Sequence, residues 1–170
     1  DRPKTRGMMH LDTLFSSISA TDIIVYPPLF NDQEINGHTV QTYCLESGQS
    51  LFDVTPLTQS LADCLRDQGY NFNAINCGGD EPLHQEREQW SDGANAFTLA
   101  PGKIINYARN KETAAALQQA GYRQIDAADF INTDADHTAD DQQLVITISS
   151  AELPRGRGGP RCLTLPLDRA

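Results

Sequence analysis

The chain has 170 residues, of which 39% are hydrophobic, and a formal net charge of -10 at pH 7. That length suits one domain with a real core. The acidic balance, with a pI of about 4.6, argues against nucleic acid or an anionic membrane as the main partner, because those surfaces reward clustered Lys and Arg.

In chain order, the start at Asp1-Arg2-Pro3-Lys4-Thr5-Arg6 has neither an initiator methionine nor the apolar stretch of a signal peptide. It reads as a processed product or a fragment. Alternation predicts strands over Met8 to Phe15, Ile23 to Tyr26 and Thr39 to Leu45. Thr55-Pro56-Leu57 opens a helical pattern through Leu61, Cys64 and Leu65 that stops at Gly69-Tyr70, before the strand-like Phe72 to Ile75. The next segment, Cys77-Gly78-Gly79-Asp80 and then Arg87 to Asn95, carries glycines and charges that core packing does not call for. Its glycines suit turns, and Trp90 reads as a packing anchor rather than a stacking platform.

Strands follow at Ala94 to Ala100 and Ile104 to Tyr107, split by a Pro101-Gly102 turn. Asn110 then stands as N-cap of a helix with Ala114, Leu117 and Ala120 on its apolar face, ended by Gly121-Tyr122 before Gln124-Ile125. The two Leu-x-x-x-Gly-Tyr endings, Leu65 to Tyr70 and Leu117 to Tyr122, point to an internal repeat of about fifty residues. Asn132 to Gln143 is an acidic solvated loop, with His137 on the surface. The second unit closes with Leu144 to Ile148 or with the strand-like run Leu163 to Leu167. The economical description is an α/β chain of repeated strand, strand, helix, strand modules, ββαβ.

Cys44, Cys64, Cys77 and Cys162 show no C-x-x-C pair and no histidine at zinc-finger spacing, so free thiols in a reducing cytoplasm are expected. Cys162 ends the basic, glycine-rich loop Arg155-Gly156-Arg157-Gly158-Gly159-Pro160-Arg161-Cys162. A thiol reacts as its thiolate, and flanking arginines favour that form, so Cys162 is a candidate nucleophile. His10 and Asp12, two apart in a strand-like run, are expected on one face and could line the same pocket, the imidazole as acid and base. Together they make a Cys/His/Asp set.

Met9-His10-Leu11-Asp12-Thr13, the block from Arg87-Glu88-Gln89-Trp90 through Asp92-Gly93-Ala94-Asn95 to Leu99-Ala100-Pro101-Gly102, and the Arg155 to Cys162 loop resemble arginine deiminase, in the same order along the chain. The resemblance covers most of the sequence. It implies the pentein fold, an α/β propeller of ββαβ modules, incomplete within this chain, with approximate modules at 8–80 and 94–167 of a single C-terminal catalytic portion. It further implies hydrolysis of L-arginine to L-citrulline and ammonia through a covalent amidino-cysteine intermediate, with no metal and no organic cofactor. By carry-over, Cys162 is the nucleophile, His10 moves protons, Asp12 holds the guanidinium and Arg157 helps bind substrate from its loop, Arg155 and Arg161 being less specific matches. The family's N-terminal half supplies a catalytic glutamate, a second aspartate and arginines for the substrate carboxylate. No residue here matches these, so the isolated chain is expected to need the missing half as partner. Assembly of copies stays open, as do a non-catalytic binding module and a guanidine hydrolase or amidinotransferase with another substrate.

Overall fold

A computed structural model describes residues 10–31, 34–35, 38–39, 42–43, 48, 56–132, 142–165 and 167. After a single turn of 3-10 helix at Leu11–Thr13 come β1 (Phe15–Ser17), β2 (Asp22–Val25), α1 (Pro27–Phe30), β3 (Glu34–Ile35), β4 (His38–Thr39), β5 (Thr42–Tyr43), β6 (Pro56–Leu57), α2 (Leu61–Asp67) and β7 (Asn73–Asn76). They are followed by α3 (Pro82–Trp90), β8 (Phe97–Ala100), β9 (Lys103–Tyr107), α4 (Lys111–Gln119), β10 (Arg123–Asp126), α5 (Ala127–Asn132), β11 (Leu144–Ile148) and α6 (Leu153–Gly156). The architecture is mixed α/β with several sheets. Among the described residues no helix is long and apolar enough to cross a membrane.

Two sheets carry the core. The first runs β1-β2-β7, with β1 antiparallel and β7 parallel to β2. The second runs β10-β11-β9-β8, with β8 antiparallel to β9, and β11 parallel to both β9 and β10. The apolar run Leu144 to Ile148 is thus a central parallel strand, and its first four residues are buried, as expected of a strand covered on both faces. Ile24 and Ile75 of the first sheet, Ile104 and Val145 of the second, and Leu117 of α4 share one cluster. The opposite face of β2, Ile23 and Val25, packs with Phe30, Leu61 and Leu65. A polar knot reinforces the junction: the buried Asp22 carboxylate accepts from Tyr122 Oη and Gln143 Nε2, both at 3.0 Å, and from Asn73 Nδ2 at 3.1 Å.

The two Leu-x-x-x-Gly-Tyr endings adopt one backbone solution. Gly69 and Gly121 have φ of 86° and 100°, while Tyr70 N donates to Leu65 O and Tyr122 N to Leu117 O, each at 3.0 Å. This is the glycine stop in which a six-residue bond closes the last helical turn. Their surroundings differ, since Tyr70 is exposed and stacks on Phe72 while Tyr122 is buried on Asp22.

Several expectations change. Met8 to Phe15 is not a strand: residues 8 and 9 lie outside the described residues, Leu11–Thr13 is 3-10, and the strand begins at Phe15. The hydroxyl of Thr13 donates back to His10 O at 2.7 Å, a local bond that competes with extension. Pro56 does not open the first helix; Pro56–Leu57 is a short strand, and Ser60 caps α2 by accepting from Asp63 N at 3.1 Å. Leu163 to Leu165 form no strand and lie exposed, with Leu167. Of Thr39 to Leu45, only residues 39, 42 and 43 are described; Cys44 and His137 lie outside the described residues, while Cys64, Cys77 and Cys162 are free thiols.

Candidate functional site

Three segments converge on one cleft of about 490 Å³: the 3-10 turn with Asp12, the turn after α3, and the loop after α6. His10, Asp12, Thr13, Asp92, Gly156, Arg157, Gly158, Arg161, Cys162 and Thr164 line it. His10, Asp12, Arg157 and Cys162 are therefore brought together, although a bend and a helical turn, not strand alternation, present the first two. Cys162 Sγ lies 3.9 and 4.0 Å from the Asp12 carboxylate oxygens, and Arg161 donates to Asp12 Oδ2 at 2.9 Å.

The arginines do not act as the sequence suggested. Arg155 pairs with Glu152 at 3.0 Å in solvent, Arg161 with Asp12, and Arg157 with Asp92 at 3.8 Å, so each is engaged by a carboxylate. Burial, and then the Asp12 charge, push the Cys162 thiol above its ordinary value.

Arg157 and Trp90 form a latch. The Arg157 guanidinium lies 4.7 Å from the centre of the Trp90 ring and donates to Trp90 O. Trp90 is 52% exposed, so it is a stacking platform for Arg157 and not a buried anchor. Asp92 (φ 61°) and Arg157 (φ 65°) are the only described residues other than glycine with positive φ. They face each other across the cleft wall, and this pairing stabilises two costly backbone conformations. Asp92 Oδ2 also accepts from Gly158 N at 3.2 Å, and Tyr107 Oη donates to Gly158 O at 2.7 Å. Burial raises the Asp92 carboxyl above its usual range, with Arg157 opposing. Tyr107 is pushed up to about 12 by burial, then by Asp92 and Cys162.

The helix that delivers Trp90 and Asp92 escaped the sequence reading. The buried positions of α3 are Gln85, Glu88 and Gln89, so there is no apolar periodicity to read. Its placement depends on polar bonds: Gln85 Nε2 donates to Gly79 O at 2.7 Å, and Glu88 accepts from Glu112 N and Thr113 N at the start of α4. Asn110 stands at the N-cap of α4 as expected, but its side chain bonds Ser91, and Glu88 supplies the capping bonds in its place. Signals were present in Pro82 at a helix start and in the Asp92-Gly93 turn pair. Asp92 and Tyr107 carried no chemical role until the fold placed them.

The family model described as arginine deiminase matches residues 1–169. The chain is 36% identical over 171 residues to a protein named arginine deiminase from Listeria monocytogenes serotype 4a, covering 98% of this chain and 35% of that protein. It is 35% identical over 175 residues to one of the same name from Mycoplasma capricolum subsp. capricolum (99% and 35%) and 35% identical over 168 residues to one from Borrelia duttonii (98% and 35%). The chain therefore spans about a third of the length of these relatives.

Proposed function

The chain belongs to the arginine deiminase family, and we propose that it is the nucleophile-bearing C-terminal portion of an enzyme that hydrolyses L-arginine to L-citrulline and ammonia. The observation that carries this reading is the Asp12 carboxylate, which faces the Cys162 sulfur at 3.9 Å on one oxygen and a guanidinium, that of Arg161, at 2.9 Å on the other. A cleft that already accommodates one guanidinium beside a protonated thiol suits a cationic guanidine substrate. Such a substrate would bring the positive charge that the thiol lacks.

In the proposed reaction, Cys162 gives its thiol proton to His10 as Sγ attacks the guanidinium carbon, and the bond to a terminal nitrogen breaks. That nitrogen leaves as ammonia after taking a proton from His10. Water then adds to the amidino-cysteine carbon and gives its proton to His10, and the S–C bond breaks to release citrulline and restore the thiol. Asp12 holds the guanidinium in line with the sulfur. Arg157, turned from Trp90 and Asp92, helps bind the substrate. No cofactor is required by these steps.

The antiparallel-then-parallel pairing of β1-β2-β7 and of β8-β9-β11 supports a pentein propeller with modules near 8–80 and 94–167. Leu163, Leu165 and Leu167, exposed at 56%, 80% and 92%, suit cover by the remainder of the whole protein, which also supplies the rest of the pocket. The free thiols favour a reducing cytoplasm. Acid quenching of the whole protein during turnover of L-arginine, followed by peptide mass analysis, is expected to find arginine less ammonia on the Cys162 peptide. An adduct on Cys44, Cys64 or Cys77 instead, or none on any, overturns the assignment.

A further inference from the structure

We propose that Asn95 is the positioning residue that sets the distance between Cys162 and Asp12, an inference that rests on the reading of Cys162 as nucleophile. Asn95 is fully buried. Its Oδ1 accepts from Cys162 N at 3.1 Å, and its Nδ2 donates to Asp12 O at 3.1 Å. One amide therefore holds the backbones of two residues that are 150 positions apart in the chain. The task needs one acceptor and one donor on a short, planar group, which an amide supplies and a carboxylate does not.

The amide is itself held still. Asn95 N bonds Asp92 O at 3.0 Å, closing a tight turn. Asn106 Nδ2 donates to Gly93 O at 2.9 Å, and a Cβ on Gly93 would lie 2.8 Å from Cys77 Sγ and 2.9 Å from Glu88 O, so the turn has no room to shift. On the other side, a Cβ on Gly159 would lie 2.4 Å from Asn95 Oδ1. The glycine before Pro160 lets the cysteine loop lie directly on the amide. Attack on a guanidinium carbon requires the sulfur and the carboxylate that orients the substrate to keep a fixed separation, and a misplacement of about 1 Å costs on the order of 100-fold.

The test compares Asn95→Ala, Gly159→Ala and the double variant in the whole protein, with turnover expressed per folded molecule. Each single change is expected to lower kcat for L-arginine roughly 10- to 100-fold with KM within about threefold. The double variant is expected to be worse than Asn95→Ala, because the Asn95 Cβ that alanine keeps lies 2.5 Å from a Cβ added at Gly159. The pH midpoint of Cys162 alkylation by iodoacetamide is expected to shift in Asn95→Ala, as the thiol loses the Asn95 bond and its fixed separation from Asp12. A melting temperature that drops while kcat and the alkylation midpoint stay at the parent's values assigns Asn95 to structure alone and overturns the proposal. If the parent forms no arginine adduct, the proposed activity fails separately, and the alkylation midpoint alone decides whether Asn95 holds the thiol.

Discussion

Replacing Glu88 by alanine should unfold the support of the site from beneath it. The first turn of an α-helix leaves its N–H groups without partners, and in α4 two of them, on Glu112 and Thr113, donate to Glu88 at 3.0 and 2.8 Å. Thr113 Oγ1 adds a third bond at 2.8 Å. Hydrogen bonds to a charged acceptor contribute about 1.5–3 kcal/mol each, but they share one carboxylate and do not add. Removing the carboxylate also relieves the cost of burying it, since its cationic neighbour Arg87 is 60% exposed and 3.6 Å away. The net loss for Glu88→Ala is therefore about 3 kcal/mol, and for Glu88→Gln, which keeps the shape and one acceptor oxygen, about half of that. In a urea titration the parent, Gln and Ala proteins should fall in that order. With a slope of about 2 kcal/mol per M, the alanine midpoint drops by about 1.5 M at unchanged slope. A Glu88→Ala protein within about 0.5 kcal/mol of its parent would refute the reasoning, because it would show that water serves the start of α4 equally well.

Two further outcomes test the electrostatics. Asp12→Asn should lower the pH midpoint of Cys162 alkylation, since the Asp12 charge is the second cause of the raised thiol after burial; an unchanged midpoint would leave burial as the whole cause. Cys77 is buried and pushed up to about 12 by desolvation first, so the folded state binds a proton that the unfolded chain releases near the ordinary thiol value. Its contribution is complete below that value and is lost as pH rises through the alkaline range, by about 1.4 kcal/mol per pH unit. Stability measured from pH 8.5 to 10 should thus fall less steeply in Cys77→Ala than in the parent, and identical slopes would count against a buried neutral thiol.

How much could be read without coordinates depended on the kind of residue. Leu144 to Ile148, a continuous apolar run, and the Gly69 and Gly121 helix stops were legible because burial and positive φ leave local marks in composition. Helix α3 left no such mark, since its inner face is Gln85, Glu88 and Gln89, and polar residues announce a buried position only through distant partners. Trp90 was misread for a related reason: a large ring is normally placed by the core, and only the arrival of Arg157 from 67 residues away makes it a platform.

The site divides along the same line. Residue types and order, together with the family resemblance, brought forward Cys162, His10, Asp12 and the arginine-glycine loop as candidates, because the proposed chemistry needs particular side chains. Which charge faces which could not be inferred from those properties. Neighbouring arginines in the chain suggested an activated thiolate, yet three dimensions turned Arg155 to Glu152, Arg157 to Asp92 and Arg161 to Asp12, leaving the thiol beside a carboxylate. Electrostatic energy depends on distances through space, and side chains adjacent in sequence are free to point apart until packing chooses their partners.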